Sequence, residues 1–330
     1  MNTRKIINSL LFSMGLFLFF TACRKENTPI RIGSNLWPGY DFLYLAREKG
    51  FFEEAGVKVQ LFDFVSLSDA RRAFERGRID VIAATIVEML IINNNSRKSP
   101  QIFYVADFSN GADVILGRKP LRTISDLRGK KVGAEPASLD MLTINLALKQ
   151  NRMKLSDITL LPMAQNGMED NFDNFLVDAL CTFPPTSVRI IAKGNANVLF
   201  SSAQIPGYIV DALISDKHFI DSRTDELAVV IRCFDRAVQF TRDHPDEALP
   251  IIAEHEQISV KELRDAYDGI AVEALKDQDK YFKDHGQLTK AAEVALEILK
   301  ETGSIQKNIR VQNVINPGPV NRALSKTGVK

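Results

Sequence analysis

The chain has 330 residues, 45% of them hydrophobic and 25% charged, a composition that describes a globular protein long enough for two lobes with a core each and excludes a disordered tail. The formal charge is +1, and removing the first 22 residues takes away Arg4 and Lys5, leaving 40 basic against 41 acidic residues. Such an even balance provides no field for a polyanion, and no nucleic-acid partner is expected.

At the N-terminus Arg4 and Lys5 precede the apolar run Ile6 to Phe20, and the small residues Thr21 and Ala22 lead into Cys23. The run is shorter than the ~20 apolar residues that a spanning helix needs, and its charged start marks a signal peptide over residues 1–22. Phe20-Thr21-Ala22-Cys23 resembles the bacterial lipobox, with Phe where Leu is commoner. That resemblance implies export, lipidation of Cys23, a polar tether over residues 23–29 and anchoring to a membrane.

Ile30 and Ile32 alternate with Arg31 and Gly33 as in a half-buried strand. The loop Ser34-Asn35-Leu36-Trp37-Pro38-Gly39-Tyr40 follows, with the chain's single Trp. Pro and Gly between the two rings prevent regular structure, so Trp37 and Tyr40 are expected to project from an exposed loop. Phe42, Leu45 and Ala46 then mark one face of a helix that Asp41 can cap and Gly50 stops. This puts the loop at the carboxyl end of a strand, where open α/β sheets place their ligands. Val57, Val59 and Leu61 alternate in a second strand, Ser68 is expected to cap the next helix, and Ile79 to Ala84 form a third strand. Thr85-Ile86-Val87-Glu88 is a capping box that opens a helix at that strand's end, beside the first loop.

Ile102 to Val105 is an apolar strand that enters the polar segment Asp107 to Asp113. Ile124 to Glu135 leads to a helix that Ser138 caps, with Leu139, Leu142 and Leu146 on one face. Val177 to Thr182 ends in Phe183-Pro184-Pro185. Leu227, Val230, Ile231, Phe234 and Val238 make a core-facing helical stripe, and Ser259 to Glu262 is a second capping box. Gln287 to Thr302 forms a last helix, and residues 304–330, without an obvious period, read as a peripheral tail.

The order of strand, WPGY loop, LYLAREKGFF, VKVQLFDF and DARRAFERGRIDV resembles the substrate-binding proteins of ABC importers, in the subfamily that serves aliphatic sulfonates, taurine, nitrate and thiamine precursors. The resemblance covers about Ile30 to Glu301. It implies an α/β, two-lobed periplasmic-binding-protein fold of type II, each lobe a mixed sheet with flanking helices. Lobe 1 would be residues 30–105 plus 214–303, and lobe 2 residues 106–213, joined by a hinge of two crossings near Asp107 and Ile209. The implied function is capture of a small molecule in the interlobe cleft by a monomer on the periplasmic or cell-surface side, and delivery to an ABC permease and its ATPase. It also implies that Asp107 borders the cleft, although Asp107 and Asn110 could equally only shape a turn. Phe183 stands where the family more often has Trp.

Expected ligand-binding residues are Ser34, Asn35, Trp37, Tyr40, Thr85, Asp107, Ser138 and Phe183. No GxGxxG, GxxxxGK[ST], GxSxG, HExxH or CxxC occurs in the sequence, so no cofactor, protein metal site or catalytic nucleophile is expected. The histidines His218, His244, His255 and His285 read as surface residues away from the loops. Cys181 and Cys233 read as buried free thiols. A ligand-sensing lipoprotein would have the same cleft, and the family also resembles thiamine-pyrimidine synthases, whose His and Cys-rich motif are not visible here. The cleft loops hold Asp107, Asp113 and Glu135 but no Lys or Arg. A neutral or amine-bearing small organic molecule, stacked on Trp37 and Tyr40 and held by Asp107, therefore fits better than a sulfonate or nitrate.

Overall fold

The computed structural model describes residues 28–283 and 286–327. The signal peptide, Cys23 with most of the tether, and His285 lie outside the described residues. Among those described, no helix is long and apolar enough to cross a membrane.

Two mixed sheets organise the chain. The first contains β1 (Ile30–Asn35), β2 (Val59–Phe64), β3 (Val81–Thr85) and β4 (Pro100–Ser109); β5 (Val114–Arg118), β6 (Lys131–Ala134), β7 (Thr159–Pro162), β8 (Ala179–Thr182) and β9 (Ala196–Ser201) form the second, and β10 (Val210–Asp216) and β11 (Ile270–Val272) return to the first. The spatial orders are β11-β4-β10-β3-β1-β2 and β7-β6-β8-β5-β9. β1 runs parallel to β2 and β3, while β10 is antiparallel to both β3 and β4. β3 and β4 are buried along their whole length, which explains why they read as continuous apolar runs rather than alternating ones.

Among the described residues two stretches join the sheets, 110–113 on the way out and 202–209 on the way back. They lie side by side: the Ser109 and Ser202 hydroxyls are 2.7 Å apart, the Gly111 amide donates to Ser202 Oγ at 2.6 Å, and the Ser202 amide donates to the Asp113 carbonyl at 2.8 Å. Gly111 has φ +133°, a conformation that a residue with a Cβ adopts only under strain.

The helices are α1 (Phe42–Glu48), α2 (Phe51–Glu54), α3 (Leu67–Glu75), α4 (Ile86–Asn95), α5 (Leu139–Gln150), α6 (Gln165–Asp173), α7 (Thr186–Ala192), α8 (Lys217–Asp243), α9 (Pro245–Glu256), α10 (Val260–Tyr267), α11 (Gln287–Glu301) and α12 (Gly318–Thr327). Both expected capping boxes form, Thr85 with Glu88 on α4 and Ser259 with Glu262 on α10. Two caps differ from expectation. Ser66, in extended backbone, caps α3 by accepting from the Asp69 amide, so Ser68 falls inside the helix and its amide is free to reach across the cleft. Asp41 precedes α1 but makes no side-chain cap, because its carboxylate is drawn to His255 at 2.9 Å.

The C-terminal segment is not peripheral in the structure. Val311, Val314, Val320 and Ala323 are buried, α12 packs along α8, and Ile315 bridges to Ile102 of β4. Its apolar spacing is helical but too short to stand out. Cys181 and Cys233 are free and buried.

Candidate functional site

Strand register brings the first group of site residues together. Asp211 of β10 lies opposite Asp107 of β4 on one side and Thr85 of β3 on the other, so three polar side chains from distant parts of the chain sit at one level of the sheet. The WPGY loop folds over them. Trp37 Nε1 donates to both oxygens of Asp107 at 3.3 and 3.2 Å, and the Tyr40 hydroxyl donates to Asp211. The backbone at Gly39 passes so close that a Cβ there would lie 2.0 Å from Asp107 Oδ2 and 2.6 Å from Trp37 Nε1.

The second sheet closes over this group. Phe183, at the end of β8, meets Trp37 edge to face with ring centroids 5.9 Å apart. Glu88, at the N-terminus of α4, accepts from the Thr85 amide at 3.2 Å and, across the cleft, from the Leu139 amide at 3.0 Å. The Ser68 amide donates to Glu135 at 2.8 Å. The lobes leave a cavity of about 10 Å³ lined by Asn35, Trp37, Tyr40, Leu67, Thr85, Asp113, Leu139, Phe183 and Asp211, room for about one water. Outside it, sharing Asn35, opens a groove of about 480 Å³ lined by Asp63, Phe64, Gln165, Asn166, Arg189 and His255 among others, a volume in the range of small-molecule sites.

Of the residues expected from the sequence, Asn35, Trp37, Tyr40, Thr85 and Phe183 line the cavity, and Asp107 lies behind Trp37. Ser34 and Ser138 are buried but do not line it; Ser138 instead caps α5 and donates to the Glu135 carbonyl at 2.9 Å. Trp37 and Tyr40 are 3% and 1% exposed, so the expectation of an exposed loop fails because the second lobe covers it. Tyr40 is held by its hydroxyl rather than offered as a stacking face.

The site is rich in buried carboxylates. Asp107, Asp113, Asp211, Glu88, Glu135 and Asp140 are each at most 3% exposed, and Arg71, which already donates to Glu75 at 2.9 Å, is the one Lys or Arg buried among the described residues. Burial, which penalises the charged form, pushes Glu88 up to about 7 against the hydrogen bond from Thr85. It likewise pushes Asp113 up to about 7, opposed by the nearby Ser109 hydroxyl. Asp107 is raised to about 8 by burial, against the hydrogen bond from Trp37, and then by the charge of Asp113; Asp211 is raised by burial and then by Asp107 and Asp113, and Asp140 by burial and then by Glu135, Asp113 and Glu88.

A second cluster lies beside the groove. His255 Nδ1 contacts Asp41 at 2.9 Å, its Nε2 contacts Asp63 at 3.2 Å, and its ring stacks on Tyr44. Burial lowers the His255 pKa, but the hydrogen bonds to Asp41 and Asp63 outweigh it and carry it up to about 9. Ligand atoms of Asp41, His255 and Glu256 lie within 4.8 Å of one another, the one such trio among the described residues. His255 is thus not a plain surface residue, and its separation of 214 positions from Asp41 hides the pairing from any local motif.

The family described as NMT1/THI5 like matches residues 37–248. A putative aliphatic sulfonates-binding protein of Bacillus subtilis is 21% identical over 309 residues, 92% of this chain and 90% of that one. A putative thiamine biosynthesis protein of Haemophilus influenzae is 21% identical over 254 residues, 74% of this chain and 78% of that one. Among solved structures, the alkanesulfonate-binding protein of Xanthomonas axonopodis pv. citri bound to MOPS superposes with a TM-score of 0.76 at 16% identity, covering 87% of this chain and 98% of that one. The fold is thereby the two-lobed periplasmic-binding-protein architecture of type II.

Proposed function

The chain belongs to the NMT1/THI5-like family, and we propose that it is an extracytoplasmic solute-binding protein that captures a small organic molecule between its lobes and delivers it to the permease and ATPase of an ABC importer. The observation that carries this reading is the meeting, over one cavity, of strand ends and helix N-termini from two lobes that are joined by two adjacent crossings. Such a hinge lets the cleft open to admit a ligand and close to exclude water, which strengthens each polar contact inside. The sulfonate-binding names of relatives agree with the importer role.

The test is mass spectrometry of small molecules released when the natively purified mature protein is unfolded, followed by scattering of the refolded, stripped protein. Adding the released fraction back should lower the radius of gyration; no released molecule and no compaction would sink the reading.

Export and a lipid anchor at Cys23 belong to the same proposal, motivated by the charged start, apolar run and Thr21-Ala22-Cys23. Cys23→Ser should give a soluble or unprocessed form. A variant that fractionates with membranes at the mature size contradicts the anchor.

A further inference from the structure

We infer that the ligand is a small organic cation, a protonated amine, amidine or guanidine with its N–H groups spread over more than one point, bound in the cleft between Asp211, with Asp107 behind it, and Asp113. The inference rests on the solute-binding reading and assigns the ligand's charge.

It begins with what is unsatisfied around the cavity. Asn35 Oδ1, Asp211 Oδ2 and both carboxylate oxygens of Asp113 are buried without a hydrogen-bond partner, and all three residues line the cavity. Asn35 Oδ1 can only accept, and the aspartate oxygens are acceptors once their carboxyls give up their protons. Buried acceptors left unpaired are costly, and native structures rarely keep them without a reason. A ligand that fits must bring donors, and Asn35, which is neutral, makes the same demand as the two aspartates.

Charge points the same way. Closing the lobes on an anion would set it among carboxylates whose mutual repulsion grows as water leaves. A cation does the opposite, pairing the carboxylates and meeting the faces of Trp37 and Phe183. A lone metal ion fits less well, since Asp107, Asp113 and Asp211 do not bring ligand atoms within 4.8 Å of one another as Asp41, His255 and Glu256 do. They stand on two sides of a cleft that holds only about 10 Å³ when closed, so the lobes must close less far around an organic cation than they do without one.

Binding is coupled to protons. In the ligand-free cleft burial holds Asp113 and Glu88 near 7 and raises Asp107, Asp211 and Asp140. Facing them are Glu135, Glu273, Arg71, the Tyr40 hydroxyl and the Trp37 indole N–H. A cation that takes a proton's place releases it, so affinity should rise with pH between about 6 and 8, up to tenfold per pH unit for each proton displaced. An anion would require proton uptake and bind more weakly as pH rises.

Calorimetry on the stripped mature protein with putrescine, agmatine and benzamidine as cations, and taurine, methanesulfonate and nitrate as comparisons, reads both signs when run at pH 6 and 8 in buffers of different ionisation enthalpy. At least one cation should bind with proton release and tighten toward pH 8. Asp113→Asn, close in shape to the protonated aspartate, should weaken it at least tenfold. Binding of any comparison compound with no cation binding, a native ligand that mass spectrometry shows to be neutral or anionic, or cation binding unchanged in Asp113→Asn overturns the charge assignment and leaves the solute-binding reading intact. Failure of all six probes in a protein that also releases no native ligand counts against both.

Discussion

Ligand-free protein should melt highest near pH 5 and lose stability steadily as the pH is raised toward 9. Glu88 and Asp113 are raised to about 7 by burial, while in the unfolded chain such groups titrate near 4. The folded state therefore holds more protons than the unfolded state between those values. The stability associated with the protonated groups is fully present below about pH 4 and is lost as pH rises through about 7. His255, raised to about 9, adds the same sign between its unfolded value near 6.5 and about 9. Below pH 4 the exposed carboxylates that hydrogen bonds hold low, Asp69 and Glu262 among them, reverse the trend. A tenfold difference in proton affinity between folded and unfolded states is worth ~1.4 kcal/mol, so ionising Glu88 and Asp113 at pH 8 would cost roughly 3–4 kcal/mol each, large beside the ~5–15 kcal/mol of a typical protein. Thermal melts from pH 5 to 9 should fall by ~10 °C or more, and the double variant Glu88→Gln, Asp113→Asn should flatten the profile. A wild-type midpoint that rises toward pH 8 would refute this account.

Gly39→Ala should abolish ligand binding, with a loss of at least about a hundredfold. The new methyl would lie 2.0 Å from Asp107 Oδ2 and 2.6 Å from Trp37 Nε1, so either the Trp37–Asp107 contact breaks or the loop moves off the sheet. A hydrogen bond to a charged group contributes ~1.5–3 kcal/mol and overpacking costs ~1–3 kcal/mol, together ~2.5–6 kcal/mol, which starts near the ~2.7 kcal/mol of a hundredfold change and runs well above it. The control is Gly167→Ala in α6, where the nearest atom would be 3.4 Å away and Ala favours the helix. Calorimetry with the native ligand separates them; near-normal binding by Gly39→Ala would show that the Trp37–Asp107 arrangement is dispensable.

Much of the fold was legible because its signals are local. Alternation at Ile30 to Gly33, the WPGY loop, and the capping boxes at Thr85 and Ser259 each depend on neighbours within a few positions, and the structure forms all of them. Ser66 against Ser68 shows the limit of that logic: two cap-competent serines lie two residues apart, and the Ser68 amide is claimed by Glu135 of the other lobe. The site was half legible. Trp37, Tyr40, Thr85 and Phe183 could be placed at strand ends, but Asp211 could not, since only antiparallel register sets it between Asp107 and Thr85. Nor could burial of Glu88 and Asp140 be read, because acidic residues are rarely fully buried. His255 escaped for the same reason as Asp211, its partner being far away in the chain.

Glu88 has one more consequence. Its two oxygens take the amides of Thr85 and of Leu139, the first residue of α5, and amides of this kind at helix N-termini are what proteins commonly offer to a free anion. In this chain the role is filled by a side chain covalently attached to one lobe. A tethered group competes at an effective concentration in the millimolar range or above, so a dissolved sulfonate arriving at those amides meets a resident rival it must first dislodge, whatever its own affinity for helix ends.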